Sequence, residues 1–228
     1  MSLNLPTVCD GCSKKFLVPH SLSCPKGGLV LAWNNDAAKL WGALSAWDIN
    51  PIAISYEPKI NSRTVQGERN RAGARVVTRE QEGSDQEVNN VATGQARVPD
   101  DSRTDVYAHG FWKWGPTALF DMQIVNSCAG SYLLQTSAKS LATEEKEKND
   151  KYLQPCLESM HSFNPMVYSA DVIPGTEAVA AQQHLALLFS NKLKREYSEM
   201  CGFVGDQMSL AIVISNTLLL CGARYKEE

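Results

Sequence analysis

The chain has 228 residues, 43% of them hydrophobic and 21% charged, with a formal net charge of −3. That composition can bury a sizeable core, which excludes a wholly disordered chain, and its slight acidity excludes a uniformly basic nucleic-acid-coating protein. Met1 to Thr7 has neither the basic nor the apolar half of a secretory signal, and the apolar run Leu210 to Cys221 falls short of the ~20 residues that cross a bilayer. Seven cysteines without such a signal argue against a disulfide framework. The expectation is an intracellular protein with no membrane attachment.

The first 28 residues are dense in cysteine, glycine and lysine and show little apolar periodicity. Within them Cys9, Cys12, His20 and Cys24 are spaced C-x2-C-x7-H-x3-C. Zinc takes four soft or borderline ligands in a tetrahedron; a C-x2-C turn brings two thiolates to one ion and H-x3-C supplies the other pair. Such binding is worth roughly 10–16 kcal/mol, enough to fold a segment with little else to hold it. Four protein ligands leave no open coordination position, so the zinc expected here is structural rather than catalytic. The competing reading is a set of buried thiols. Lys14, Lys15 and Lys26 surround the group and can meet phosphates or simply keep it soluble.

A helix is expected over Asn34 to Trp47, where Ala37, Leu40, Trp41, Leu44 and Trp47 recur at spacings of three and four, with Asn34 or Asn35 as its cap. Ile52 to Tyr56 reads as a short strand. Lys59 to Asp101 is polar, basic in its first half and acidic in its second, without a core pattern. Thr104 to Trp112 and Thr117 to Asn126 read as strands around the turn signal Trp114-Gly115-Pro116. Helices are then expected over Thr143 to Met160, Thr176 to Tyr197 and Gly205 to Gly222, with a strand at Pro165 to Val172. Strands in the middle and helices on either side predict a mixed α/β fold.

Asp105 and Asp121 fall on the two central strands, within about two residues of directly opposite. Cross-strand neighbours lie about 4.5–5.5 Å apart, a separation at which two carboxylates can share a divalent cation. Asp121 is the odder of the two, because it interrupts the apolar run Ala118 to Val125. A carboxylate in such a run is costly unless it has a partner. By strand alternation Leu119, Asp121, Gln123 and Val125 share a face. Nucleases of the PD-(D/E)xK type place two acids and a lysine in this pattern, and Gln123 stands at the lysine's position. The bland reading is a solvated aspartate at a strand edge.

Cys9-Asp10-Gly11-Cys12, His20, Cys24, Gly27-Gly28-Leu29-Val30, Glu57-Pro58, Gly110-Phe111-Trp112, Phe120-Asp121 and Lys151-Tyr152 follow one another in an order. That order resembles the C-terminal region of non-LTR retrotransposon reverse-transcriptase polyproteins that carry a restriction-like endonuclease. The likeness runs from about Leu3 to Arg224 and is weakest through Lys59 to Asp101. It implies a zinc-knuckle module over 1–28, a restriction-endonuclease-like mixed-sheet core over 29–175 with the polar insertion 59–101, and a C-terminal helical pair over 176–228.

The resemblance further implies that Cys9, Cys12, His20 and Cys24 bind zinc and help place DNA or RNA. Asp105 and Asp121 would hold catalytic Mg²⁺ or Mn²⁺, with Glu57 in support. In the family the lysine is often displaced to the following helix, which points to Lys148 or Lys151; a solvated charged face is the competing reading of that helix. The chain departs from the family at Gln123, and at Asn34, where the family has histidine. The implied activity is metal-dependent DNA nicking by a nuclear protein that is part of, or derived from, a larger retroelement polyprotein. The alternative is a catalytically dead nucleic-acid-binding module of the same fold. No polymerase motif is present.

Overall fold

The computed structural model describes residues 7–9, 12–22, 24, 26, 29–48, 54–57, 104–112, 117–126 and 135–221. The polar stretch Lys59 to Asp101 and the turn Trp114-Gly115-Pro116 lie outside them. Their helices are α1 (Val18–Ser21), α2 (Leu29–Asp48), α3 (Ser137–Glu158), α4 (Thr176–Leu193) and α5 (Tyr197–Cys221). The strands are β1 (Ile54–Tyr56), β2 (Val106–His109), β3 (Thr117–Val125) and β4 (His161–Ser169). They form one sheet in the order β1-β2-β3-β4, antiparallel across its first three strands and parallel between β3 and β4. The class is mixed α/β. A parallel pair needs a long crossover, and α3 supplies it.

Why β3 sits at the centre follows from its composition. Eight of its nine residues are buried, as expected of a strand covered on both faces. Ala118, Phe120, Met122 and Ile124 face a core built from Trp33, Ala37 and Trp41 of α2, Leu185 and Phe189 of α4, and Met208 and Ile212 of α5. Trp41, Phe111 and Phe120 meet there with ring centroids 4.9–5.9 Å apart in tilted or edge-on arrangements. Each such pair adds about 0.5–1.5 kcal/mol beyond the area it buries, which favours this face as the main core. On the opposite face Leu119 packs with Cys156 and Phe163, and Val125 packs with Leu141 and Val167. That face belongs to α3.

Several element boundaries differ from the sequence expectation, each for a local reason. Helix α2 begins at Leu29, so Asn34 lies in its second turn rather than at its cap. Helix α3 begins at Ser137, because Thr136 is extended and its hydroxyl accepts from the Lys139 N–H. Strand β4 starts at His161 and carries Pro165 in its middle; the missing N–H is harmless on an edge strand.

The last two helices are divided at Lys194, which adopts a left-handed conformation (φ 56°). Helix α5 starts at Tyr197, eight residues before the expected Gly205, and passes through Gly202 and Gly205. Its 24-residue span Tyr197–Leu220 is long and apolar enough by length and composition to cross a membrane, unlike the shorter run expected. Here Met200, Val204, Met208, Ile212 and Leu219 are buried in the protein core.

Candidate functional site

The register of the sheet brings three carboxylates into one row. Tyr56 pairs with Val106 and Val106 with Phe120, so the next residue on each strand is Glu57, Asp105 and Asp121. The Glu57 N–H donates to the Asp105 carbonyl at 3.0 Å, and the Asp105 N–H donates to the Phe120 carbonyl at 3.0 Å. Glu57 holds a left-handed backbone (φ 52°), uncommon for a residue with a Cβ. Strand alternation puts Asp105 and Asp121 on the α3 side with Leu119.

Lys148 of α3 completes the constellation: its ammonium donates to Asp121 Oδ2, and the two side chains are only 14% and 12% exposed. The carboxyl of Asp105 is pushed up to about 6, first by burial and then by the charge of Asp121, with Glu57 adding to it. The Met122 N–H, which donates to Asp105 Oδ2 at 2.5 Å, and the Lys148 ammonium pull the other way. Asp105 therefore senses Glu57, Asp121 and Lys148 together. Lys151 stands apart: it is exposed, and its Nζ lies 4.6 Å from the ring centroid of Tyr152.

Three neighbours of this row make contacts that the sequence does not foretell, although Gln123 and Asn34 stand out in it for other reasons. Gln123 donates through Nε2 to Glu144 Oε2 at 2.6 Å, which anchors α3 one turn before Lys148. Asn34 Oδ1 accepts from the Ile124 N–H at 3.0 Å. Strand β2 ends opposite Phe120, so Asp105 and Asn34 together serve the N–H groups that β3 presents beyond it. The buried Glu145 accepts from the Glu177 N–H at 3.0 Å and so caps α4, whose own cap residue is Gly175. Burial raises the carboxyl of Glu145, against the pull of that N–H. All three depend on tertiary approach.

The second cluster lies at the N-terminus. Backbone bonds from Cys9 N–H to Lys14 O and from Ser13 N–H to Cys9 O, both 2.8 Å, close a tight turn with Ser13 left-handed (φ 59°). Cys9 and Cys12 lie at this turn, His20 on α1 and Cys24 just beyond it. The Sγ and imidazole nitrogen atoms of the four all lie within 4.8 Å of one another. The Cys9–Cys24 sulfur separation is 3.7 Å, close to the ~3.8 Å edge of a tetrahedron with Zn–S bonds of about 2.3 Å. Burial raises the Cys24 thiol and the adjacent Cys9 and Cys12 thiols raise it further, a crowding that a dication would relieve. The group can therefore hold a metal such as zinc.

Among the described residues this Cys3His set is the group of three or more metal-ligating side chains that converges so tightly; the acid row is more open. Two shallow cavities of about 260 and 370 Å³ lie at Trp47–Phe189 and at Trp112–His184, and neither is lined by a residue of the row. No family model, no curated protein and no solved structure matches this chain.

Proposed function

We propose that the chain is a retrotransposon-derived, metal-dependent DNA endonuclease with a restriction-endonuclease-like core and a structural zinc module. The observation that carries the reading is the row Glu57–Asp105–Asp121, which runs from an exposed Glu57 through a half-buried Asp105 to a buried Asp121 that meets Lys148 of α3. The donor set fits the implied cation. It is all carboxylate oxygen, which suits Mg²⁺ or Mn²⁺ rather than a soft metal, and the mutual charge felt by Asp105 is what a bound cation neutralises. Asp105 and Asp121 would hold the ion, with Glu57 beside them. When bound, it would supply an activated water and offset charge on a phosphodiester.

The remaining parts are the chain's own. Lys148 carries a fixed positive charge at the mouth of the row, where the oxygens of a phosphodiester need one. Its ammonium is held there by the bond to Asp121 Oδ2. Lys14, Lys15 and Lys26, exposed around the zinc module, would contact the phosphate backbone of DNA or RNA. Gln123 favours the second reading, a catalytically dead binding module, because a strand lysine is replaced there by a neutral amide.

Nicking of supercoiled plasmid in Mg²⁺ or Mn²⁺ separates the two. The nuclease reading expects metal-dependent nicking by the wild-type protein and its loss, by about a thousandfold or more, in Asp121→Asn. Folded, zinc-loaded protein that binds DNA in a salt-dependent way but never nicks it would replace that reading with the binding module.

A further inference from the structure

We propose that Gln123 and Glu144 form a positioning pair that sets the register of α3 against β3 and so delivers Lys148 to Asp121. The inward faces of the two elements match in antiparallel order. Val125 meets Leu141, Gln123 meets Glu144, Asp121 meets Lys148, and Leu119 meets Cys156. The two outer contacts are apolar and non-directional, so they tolerate sliding. The Gln123–Glu144 bond, 2.6 Å and charge-assisted, is directional and does not.

The alternative registers show what the pair selects against. One helical turn is about 5.4 Å and two strand residues span about 6.7 Å. A one-turn slip in one direction therefore sets Glu144 against Asp121, carboxylate to carboxylate. In the other direction Lys148 meets Gln123 and Asp121 loses its partner, leaving a largely buried charge uncompensated. An amide at position 123 suits this purpose: it donates to Glu144 without placing a second cation beside Lys148. A lysine there would pair with Glu144. Gln123 is then the complement of a lysine carried on the helix, and Glu144 is a positioning residue rather than a catalytic one.

The kinetic half of the test rests on the nuclease reading; the structural half does not. Three full-length, zinc-loaded proteins are compared: wild type, Gln123→Glu, and the swap Gln123→Glu with Glu144→Gln, which restores the bond with donor and acceptor exchanged. In these zinc-loaded proteins with labelled lysine and no Mg²⁺ or Mn²⁺ added, NMR should show a slowly exchanging ammonium signal, assigned to Lys148 by its absence in Lys148→Met. It should vanish in Gln123→Glu and return in the swap. In the nicking assay kcat should fall about 10–100-fold in Gln123→Glu with KM unchanged, and recover in the swap. Persistence of the signal in Gln123→Glu overturns the proposal. So does a swap that matches the wild-type urea midpoint without recovering the signal. A wild-type protein that does not nick overturns the nuclease reading alone, and the NMR comparison still decides the positioning pair.

Discussion

The Cys9–Cys24 group and the acid row both gather ligating side chains, but they are assembled in opposite ways. Around the cysteines the described chain offers a tight turn, one turn of helix and little apolar packing beyond Leu22 against the main core. The ligands there supply the order. In the row the order comes first: Asp105 and Asp121 stand on strands whose neighbours Val106 and Phe120 are fully buried, and the carboxylates are carried to their places by the sheet. One cluster is a set of ligands that can gather around a metal ion, while the other is carried into place by the core despite its own charge repulsion. Metal binding should therefore be a folding event at the first and a charge-neutralising event at the second.

The largest effect should separate the two directly. Stripping metal with a chelator, or substituting Cys24→Ser, should cost the N-terminal module roughly 10 kcal/mol and melt it. Hydrogen exchange should then accelerate across residues 7–26 and stay slow across 117–125. Equal protection of both segments after chelation would mean that packing, not an ion, holds the module.

A smaller effect is expected within the row. Lys148→Met leaves Asp121 buried without its cation and should destabilise the protein by about 3–5 kcal/mol in urea titration at pH 7. A loss below about 1 kcal/mol would place the pair in an exposed, well-screened setting and remove the contrast with the N-terminal cysteine cluster.

Smallest and opposite in sign is Asp105→Asn. A carboxyl raised to about 6 in the folded protein binds its proton more tightly than in the unfolded chain. Its contribution to stability is therefore full below about pH 4 and is lost as the pH rises through 6. With no Mg²⁺ or Mn²⁺ added, the asparagine variant should be more stable than wild type at pH 7, by roughly 2–3 kcal/mol, and the gap should close by pH 4. Equal stability at both pH values would show that Asp105 is not electrostatically strained.

Much of this arrangement was legible in the residues, and what was not shares one cause. Alternation along Ala118 to Val125 put Asp121 and Gln123 on one face, and the hairpin reading put Asp105 within reach of Asp121; both signals are local. Between Lys148 and Lys151 sequence could not choose, since residues three apart on a helix share a broad face. Packing of Tyr152 and Cys156 against Leu119 and Phe163 fixes which face of α3 meets the sheet, with Lys148 on Asp121 and Lys151 exposed. Asn34 misled because asparagine before an apolar run is a good cap; in a helix that starts five residues earlier it becomes a side chain reaching to another element. Gly205 marked a helix start only on local propensity, which burial of Met200 and Val204 overrides. Glu145 and Glu144 are ordinary members of a charged helix until β3 and α4 approach them.

Past Phe120 one margin of β3 has no described strand beside it, and an open margin of a central apolar strand is a template on which another chain can polymerise. Asp105 and Asn34 take up the N–H groups of Met122 and Ile124 there, so the row that gathers charge also shields the strand. Changes at Asp105 therefore act on two properties at once. An alanine at that position removes a carboxylate from the site and also exposes an aggregation-prone seam, so loss of soluble protein would accompany loss of the acid.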